Sequence, residues 1–431
     1  PAPLAGSAIE PGDHGYASVR STYMRGGAPG LVLRVAETDE LAEALAYARR
    51  HRGLPLAIRS GGHGISGRST NDGGIVIDLG AMNAIEVIDP ERRRVRVGPA
   101  ARWKDIALAL APHGLAISSG DYGGVGVGGL ATAGGIGWMA RQHGLTIDHL
   151  RAAEVMLADG TLVRASEKEN PDLFWAIRGA GANMGVVTSF EFEADPVGEI
   201  GFGTLVFDAE EIAGFLERWG ALVEASPRDL TSFLIMGPPR RGRQTVAQVM
   251  AMVDSSDPEV VVERFQSLAA AAPLLDHQIS IATYAAVMQN ASDAPHDGQG
   301  DPAARAGFVR HMTPEVAAAC ERLLRSGQVY FFQIRSVGGA VSDIAPDATV
   351  YAHRSANFSI SAMGFNRDRL DAIWDRDLLP LCDGLYLNFE TDQRPERLHD
   401  AFPPATLARL RDLKHRYDPE NVFRDNFNIA L

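Results

Sequence analysis

Short apolar runs and amphipathic stretches alternate along the first two hundred residues. Leu41, Leu45 and Ala48 share one face of a helix that Thr38 can cap and that stops near Gly53. Residues 55–59 then predict a short strand running into a glycine turn, and 75–79 a second strand. The apolar positions of 85–88 and 95–97 flank Asp89-Pro90, which predicts a hairpin. A helix through Trp103, Ile106 and Leu110 should end near Gly114. Two strands are expected around Asp159-Gly160, a helix opening at Asn170-Pro171, and a strand over 186–192. The pattern changes after Asp195-Pro196. Amphipathic helices over 208–223 and 257–272 mix there with strands near 229–236, 244–252, 329–335 and 356–365, an order that predicts an α+β fold. Residues 290–307, rich in Asp, Ala, Gly and Pro, predict an exposed loop, and 415–423 a helix end followed by a turn.

At 431 residues the chain is long enough for two or three domains. Its 45% hydrophobic and 22% charged residues are those of a soluble globular protein. The net charge of −13 argues against nucleic acid or an anionic membrane as partner. No apolar stretch approaches the roughly 20 residues of a membrane span, and the first residues lack a signal-peptide core. A cytoplasmic protein is expected, with a trimmed leader left open. Cys320 and Cys382 make no metal or redox spacing and predict small buried hydrophobes. His113, His143, His149, His353 and His399 show no ligand spacing either, so no metal is assigned.

The chemistry concentrates in two glycine-rich segments. One is the turn Arg59-Ser60-Gly61-Gly62-His63-Gly64; the other runs from Gly120 to Gly137, with nine glycines in eighteen residues. Such density costs backbone entropy in any helix or strand. It fits close approach of backbone N–H groups to an anionic ligand such as a pyrophosphate. A dinucleotide fingerprint is excluded: Gly179-x-Gly181 leads into a strand, and the glycines from 124 to 129 have the wrong spacing. A phosphate-binding G-x-x-x-x-G-K-[ST] loop is absent. What remains is a pyrophosphate wrapped by two separate loops, with a histidine beside it.

The segments RSGGHGISG (59–67), GGVGVGGLATAGGIGWMARQHGLTIDHL (123–150), ASEKENPDLFWAIRGAGANMGVVTSFEF (165–192), GGAVSDIAPDATVYAHR (338–354) and RYDPENVF (416–423) closely resemble the FAD-linked oxidases with a PCMH-type flavin domain. The resemblance lies in the branch of the berberine-bridge-enzyme-like and oligosaccharide oxidases. It implies a two-part FAD-binding domain, residues 1–196 and 385–431, and a substrate domain, 197–384, with an antiparallel sheet covered by helices. His63 matches the histidine that bonds covalently to the flavin 8α-carbon in this family. The expected cofactor contacts are Arg59, Ser60, Gly61, Gly62, His63, Gly64, Gly120, Val125, Gly126, Gly129, Gly134, Gly135, Gly137, Gly185, Val187 and Asn426. The implied reaction takes a hydride from an alcohol, sugar or phenolic substrate to flavin N5, with O₂ as acceptor giving H₂O₂. A dehydrogenase using another acceptor, or a non-redox flavin scaffold, would be the alternatives.

The chain also departs from the family pattern. Tyr122 stands where many relatives carry a second tethering cysteine, so a single link through His63 is expected. Val125 matches a position where a small residue favours reaction with oxygen. The usual tyrosine base is replaced by Phe389 in the stretch Tyr386-Leu387-Asn388-Phe389, and 357–361 offers no acid. Strand alternation places Gln333 and Arg335 on one face and points Tyr386 opposite to Asn388. The catalytic candidates are therefore Tyr122, as base or hydrogen-bond donor, Arg335, as a hold for an acidic substrate group, and Asn388.

Overall fold

The computed structural model describes residue 4, residues 6–425 and residues 427–430. Strand Ile75–Asp78 is buried at every position, as a central parallel strand should be, and lies between Leu31–Arg34 and Leu56–Arg59. The parallel pairing requires crossovers, and helix Thr38–Arg50 supplies one of them, burying Leu41, Ala44, Leu45 and Ala48. Its cap is not Thr38, which is already helical. The carboxylate of Glu40 accepts the N–H groups of Ala36 at 2.7 Å and Glu37 at 3.4 Å instead.

A second, antiparallel sheet orders its strands as Ile85–Asp89, Arg94–Val97, Val186–Glu193, Leu150–Met156 and Leu162–Ser166. The third is a seven-stranded antiparallel sheet, in the order Leu274–Thr283, Glu199–Asp208, Val246–Val253, Leu230–Met236, Phe331–Ser336, Phe358–Gly364 and Ala303–Val309. One of its faces packs against helices Ile212–Ala225, Pro258–Ala269, Pro314–Arg325 and Arg367–Asp377 around a core that includes Phe207, Leu234, Phe332, Ile334 and Trp374. The period of two along each strand sends the intervening residues to the opposite face. There Phe233 stands in register with Arg335, Gln333 with Ser361, and Arg335 with Ser359. That face looks toward the glycine loops.

Several expectations change. Residues 303–309 form a fully buried strand, because the loop-like composition ends at Pro302 and Ala-Ala-Arg-Ala-Gly packs on both faces. Strands Glu199–Asp208 and Leu274–Thr283 went unpredicted; the latter is exposed along almost its whole length and lacks a strong apolar alternation. Residues 387–389 make a 3-10 turn in place of a strand, so alternation does not govern Tyr386 and Asn388. Among the described residues no helix is long and apolar enough to cross a membrane. Both cysteines are free; Cys320 is buried and Cys382 half-buried.

His143 ties the glycine-rich part of the chain to the seven-stranded sheet, lying 2.7 Å from Asp254 and 3.4 Å from Asp195. Burial opposes its charge, but the hydrogen bonds and charges of the two aspartates outweigh it and push its pKa up to about 9. A raised folded-state pKa gives stability that is full below the ordinary value of 6.5 and is lost as pH rises through about 9. The melting-temperature advantage of the native chain over His143→Gln should therefore shrink between these pH values. An equal gap at both would show the pair to carry no charge-dependent stability.

Candidate active site

Strand Leu56–Arg59 delivers the first glycine turn. Arg59 is buried and donates to the Ser21 carbonyl at 2.6 Å, anchoring the strand end, and the Ser60 hydroxyl donates to the Pro99 carbonyl at 2.9 Å. Gly61 then touches Gly126 of the second loop. A Cβ on Gly61 would lie 2.5 Å from the Gly126 nitrogen, and a Cβ on Gly126 would lie 2.5 Å from the Gly61 nitrogen. Only a glycine pair permits this contact. Gly62 turns the chain with a φ of 66°, in the left-handed region, and His63 follows.

The His63 ring is stacked on Tyr23 with centroids 4.3 Å apart, and it lies 5.0 Å from the Tyr122 ring and 5.3 Å, edge-on, from His296. Burial and the neighbouring His296 lower its pKa to about 4, so the imidazole is neutral at physiological pH. Its Nε2 is buried and has no hydrogen-bond partner among the described residues. The ring borders a cleft that is open to solvent at its mouth, the concave kind of site that takes a small organic ligand.

Of the expected cofactor contacts, Ser60, Gly61, Gly62, His63, Gly64, Gly120, Val125, Gly126, Gly129, Gly185 and Val187 line this cleft. Gly129 is informative because a Cβ there would enter open space in the cleft. Arg59, Gly134, Gly135 and Gly137 lie behind the wall. Added Cβ atoms would strike Tyr351 and Tyr386 at Gly134, Thr146 at Gly135, and the carbonyls of Ser119 and Gly120 at Gly137. Part of the glycine density thus serves chain-on-chain packing. Asn426 falls outside the described residues.

The three catalytic candidates separate. Asn388 lines the cleft and donates to the Tyr386 hydroxyl at 3.0 Å. That hydroxyl also accepts the Gly135 N–H at 3.0 Å, and burial raises its pKa. Tyr122 flanks His63, but its hydroxyl accepts the Ser292 N–H at 3.0 Å, on the outer side. Arg335 is buried, with its guanidinium 4.1 Å from the Phe389 ring centroid, and is paired with Asp121 at 3.0 Å. It is therefore no free cation for an acidic substrate.

Asp121 was missed by sequence reasoning, although it is the one acid in the 120–137 run. Its carboxylate accepts from Gln333 Nε2 at 3.2 Å and from Arg335 Nε at 3.1 Å, and the residue lines the cleft. Its carbonyl accepts from Trp138 at 3.2 Å and Asn290 at 3.1 Å.

A cleft lined by both glycine turns, a buried imidazole nitrogen without a partner among the described residues and a cleft-lining glycine with open space beside it fit a flavin dinucleotide. Residues 29–166 match the family described as FAD binding domain, and 385–430 that described as berberine and berberine like. An FAD-linked oxidoreductase of Pyricularia oryzae is 30% identical over 423 residues, covering 88% of this chain and 79% of the relative. The chain belongs to the FAD-linked oxidoreductases. (R)-6-hydroxynicotine oxidase of Paenarthrobacter nicotinovorans is 29% identical over 453 residues, covering 100% of this chain and 97% of the relative. The crystal structure of 6-hydroxy-D-nicotine oxidase from Arthrobacter nicotinovorans superposes with a TM-score of 0.85 at 26% identity, covering 100% of this chain and 98% of that one. The protein is thus an FAD-dependent oxidase with the PCMH-type α+β fold.

Within this oxidoreductase the glycines make separable predictions. Gly126→Ala should destabilise the apoprotein by roughly 1–3 kcal/mol, because the facing turn must move. Gly129→Ala should leave the apoprotein melting temperature unchanged or slightly higher, yet lower the flavin absorbance per protein. Equal flavin content in Gly129→Ala and native protein would place the cofactor elsewhere.

Proposed function

We propose that this oxidase holds FAD through a single covalent bond from the His63 imidazole and oxidises a small neutral or cationic substrate bearing an oxidisable hydroxyl or amine. The observation that carries the link is His63 itself: neutral, half-buried, with no partner at Nε2 among the described residues, and lining the cleft. A neutral imidazole is the nucleophilic form needed to attack the flavin methyl position. No cysteine lines the cleft, and Tyr122 occupies the place of a second tether, which supports one link. Bound FAD would supply the hydride acceptor, with O₂ as the final electron acceptor, and Val125 would stand at the cleft wall as a small side chain beside it. Residues 1–196 with 385–431 form the FAD-binding unit in this reading, and 197–384 cover the substrate.

The chain's own residues set the substrate preference. Asp121 neutralises Arg335, so the cleft offers a carboxylate and amide groups and no unpaired arginine from the sheet. Phe389 and Val125 supply apolar walls. These features favour neutral sugar, alcohol or phenol hydroxyls and protonated amines over carboxylates.

The test of the link is acid precipitation of the purified protein. Yellow colour should stay in the pellet for the native chain and pass to the supernatant for His63→Ala; release from both would overturn covalent attachment. The depressed pKa adds a sign. Covalent incorporation of FAD into apoprotein should stay near its full rate as pH falls past 6.5 and should decline only toward about 4. A decline centred on 6.5 would place the imidazole in water.

A further inference from the structure

We propose that Asp121 is the proton acceptor of the oxidation, held in place by Arg335 and Gln333; the proposal rests on the oxidase reading above. All three donors that reach its carboxyl group converge on one oxygen: Gln333 Nε2 at 3.2 Å, Arg335 Nε at 3.1 Å and Arg335 Nη2 at 3.0 Å all meet Oδ2. The other oxygen, Oδ1, has no hydrogen-bond partner among the described residues, and the side chain borders the same cleft as His63 and Asn388. A carboxylate fixed through one oxygen with the second left open is arranged to receive a proton.

The other candidates are spent. The Tyr386 hydroxyl is engaged by Gly135 and Asn388, and burial raises its pKa. The Tyr122 hydroxyl is engaged by Ser292. Phe389 cannot accept a proton. Asp425, the other carboxylate on the cleft wall, is bound to the Leu56 N–H at 2.8 Å, at the start of the strand whose far end leads to His63.

Ser359 stands in register with Arg335 and Ser361 with Gln333, and both serines are buried. Their hydroxyls and Arg335 Nη1 have no hydrogen-bond partner among the described residues, so neither serine competes with Asp121 for the donors that hold it.

The substrate C–H bond breaks with its electron pair going to the flavin, and the O–H bond breaks with its pair forming the carbonyl. The hydroxyl proton passes to Asp121 Oδ1, and the neutral carboxyl group later releases it to solvent through the cleft mouth. The flavin is reduced by two electrons and the substrate is oxidised by two.

Two measurements on the flavin-loaded enzyme test this. Sulfite, an anion that bleaches oxidised flavin by adding to it, needs no substrate. Asp121→Asn should bind it about 10-fold more tightly than the native enzyme, since a negative charge near the ring is removed; equal affinities would overturn the placement of Asp121. The second is anaerobic flavin reduction by cellobiose and by 4-hydroxybenzyl alcohol. Asp121→Asn should reduce roughly 10²–10⁴-fold more slowly, and Asp121→Glu should recover part of the rate. An unchanged rate would overturn the proposal. Native enzyme that neither probe reduces would count against the oxidation of hydroxyls proposed above, and the sulfite titration would still decide the position of Asp121. If Asp121→Asn fails to fold because Arg335 is left buried and unpaired, Asp121→Asn/Arg335→Met removes both charges and is read by the anaerobic reduction rate, since the net charge near the ring is then unchanged.

Discussion

The site depends on the contact between Gly61 and Gly126, where two separate turns meet at a distance that leaves no room for a side chain. The first turn ends in His63, and the second follows the segment that carries Asp121 and Tyr122. Moving either turn outward would shift the imidazole relative to the carboxylate and open the narrow end of the cleft. Further close contacts hold the second loop from behind. Gly137 packs on the carbonyls of Ser119 and Gly120, Ser118 donates to the Gly144 carbonyl at 2.6 Å, and Ser119 is hydrogen-bonded to Tyr284 at 2.8 Å. The glycines are thus a packing solution as much as a ligand cradle.

Electrostatics joins this frame to the seven-stranded sheet. The Asp121–Arg335 pair crosses from the glycine loop to a strand more than two hundred residues later, with Arg335 stacked on Phe389 and fixed by its register with Phe233. Burying a guanidinium is costly unless it is paired. The pair therefore serves the fold and, through the open oxygen of Asp121, the chemistry. His143 makes a second such crossing, to Asp254. Both connections hold the seven-stranded sheet against the glycine-rich part of the chain.

Much of this was legible in the chain. The central strands, the hairpin around Asp159-Gly160 and four strands of the large sheet followed from alternation and turn chemistry; the two glycine loops followed from glycine density, and the individual residues expected at the cofactor from the family resemblance. The strand Leu274–Thr283 escaped because its residues are exposed and its pattern is set by pairing alone. Strand Ala303–Val309 escaped because alanine and glycine at a buried position look like loop composition. In the site, Arg335 was placed on the correct face by alternation, but its partner was invisible. Asp121 lies 214 residues away in sequence, and nothing local marks which long-range ion pair will form. The turn at 387–389 defeated the assignment of Tyr386 to the face opposite Asn388, since a 3-10 turn brings the two together.

A crystal structure of the flavin-loaded enzyme decides most directly between these arrangements. Continuous density is expected between the His63 imidazole and the flavin 8α-carbon, with Asp121 Oδ1 facing the substrate side of the ring and free of protein donors. A flavin ring lying away from His63, or an Asp121 carboxylate with both oxygens bound by protein groups, would contradict it.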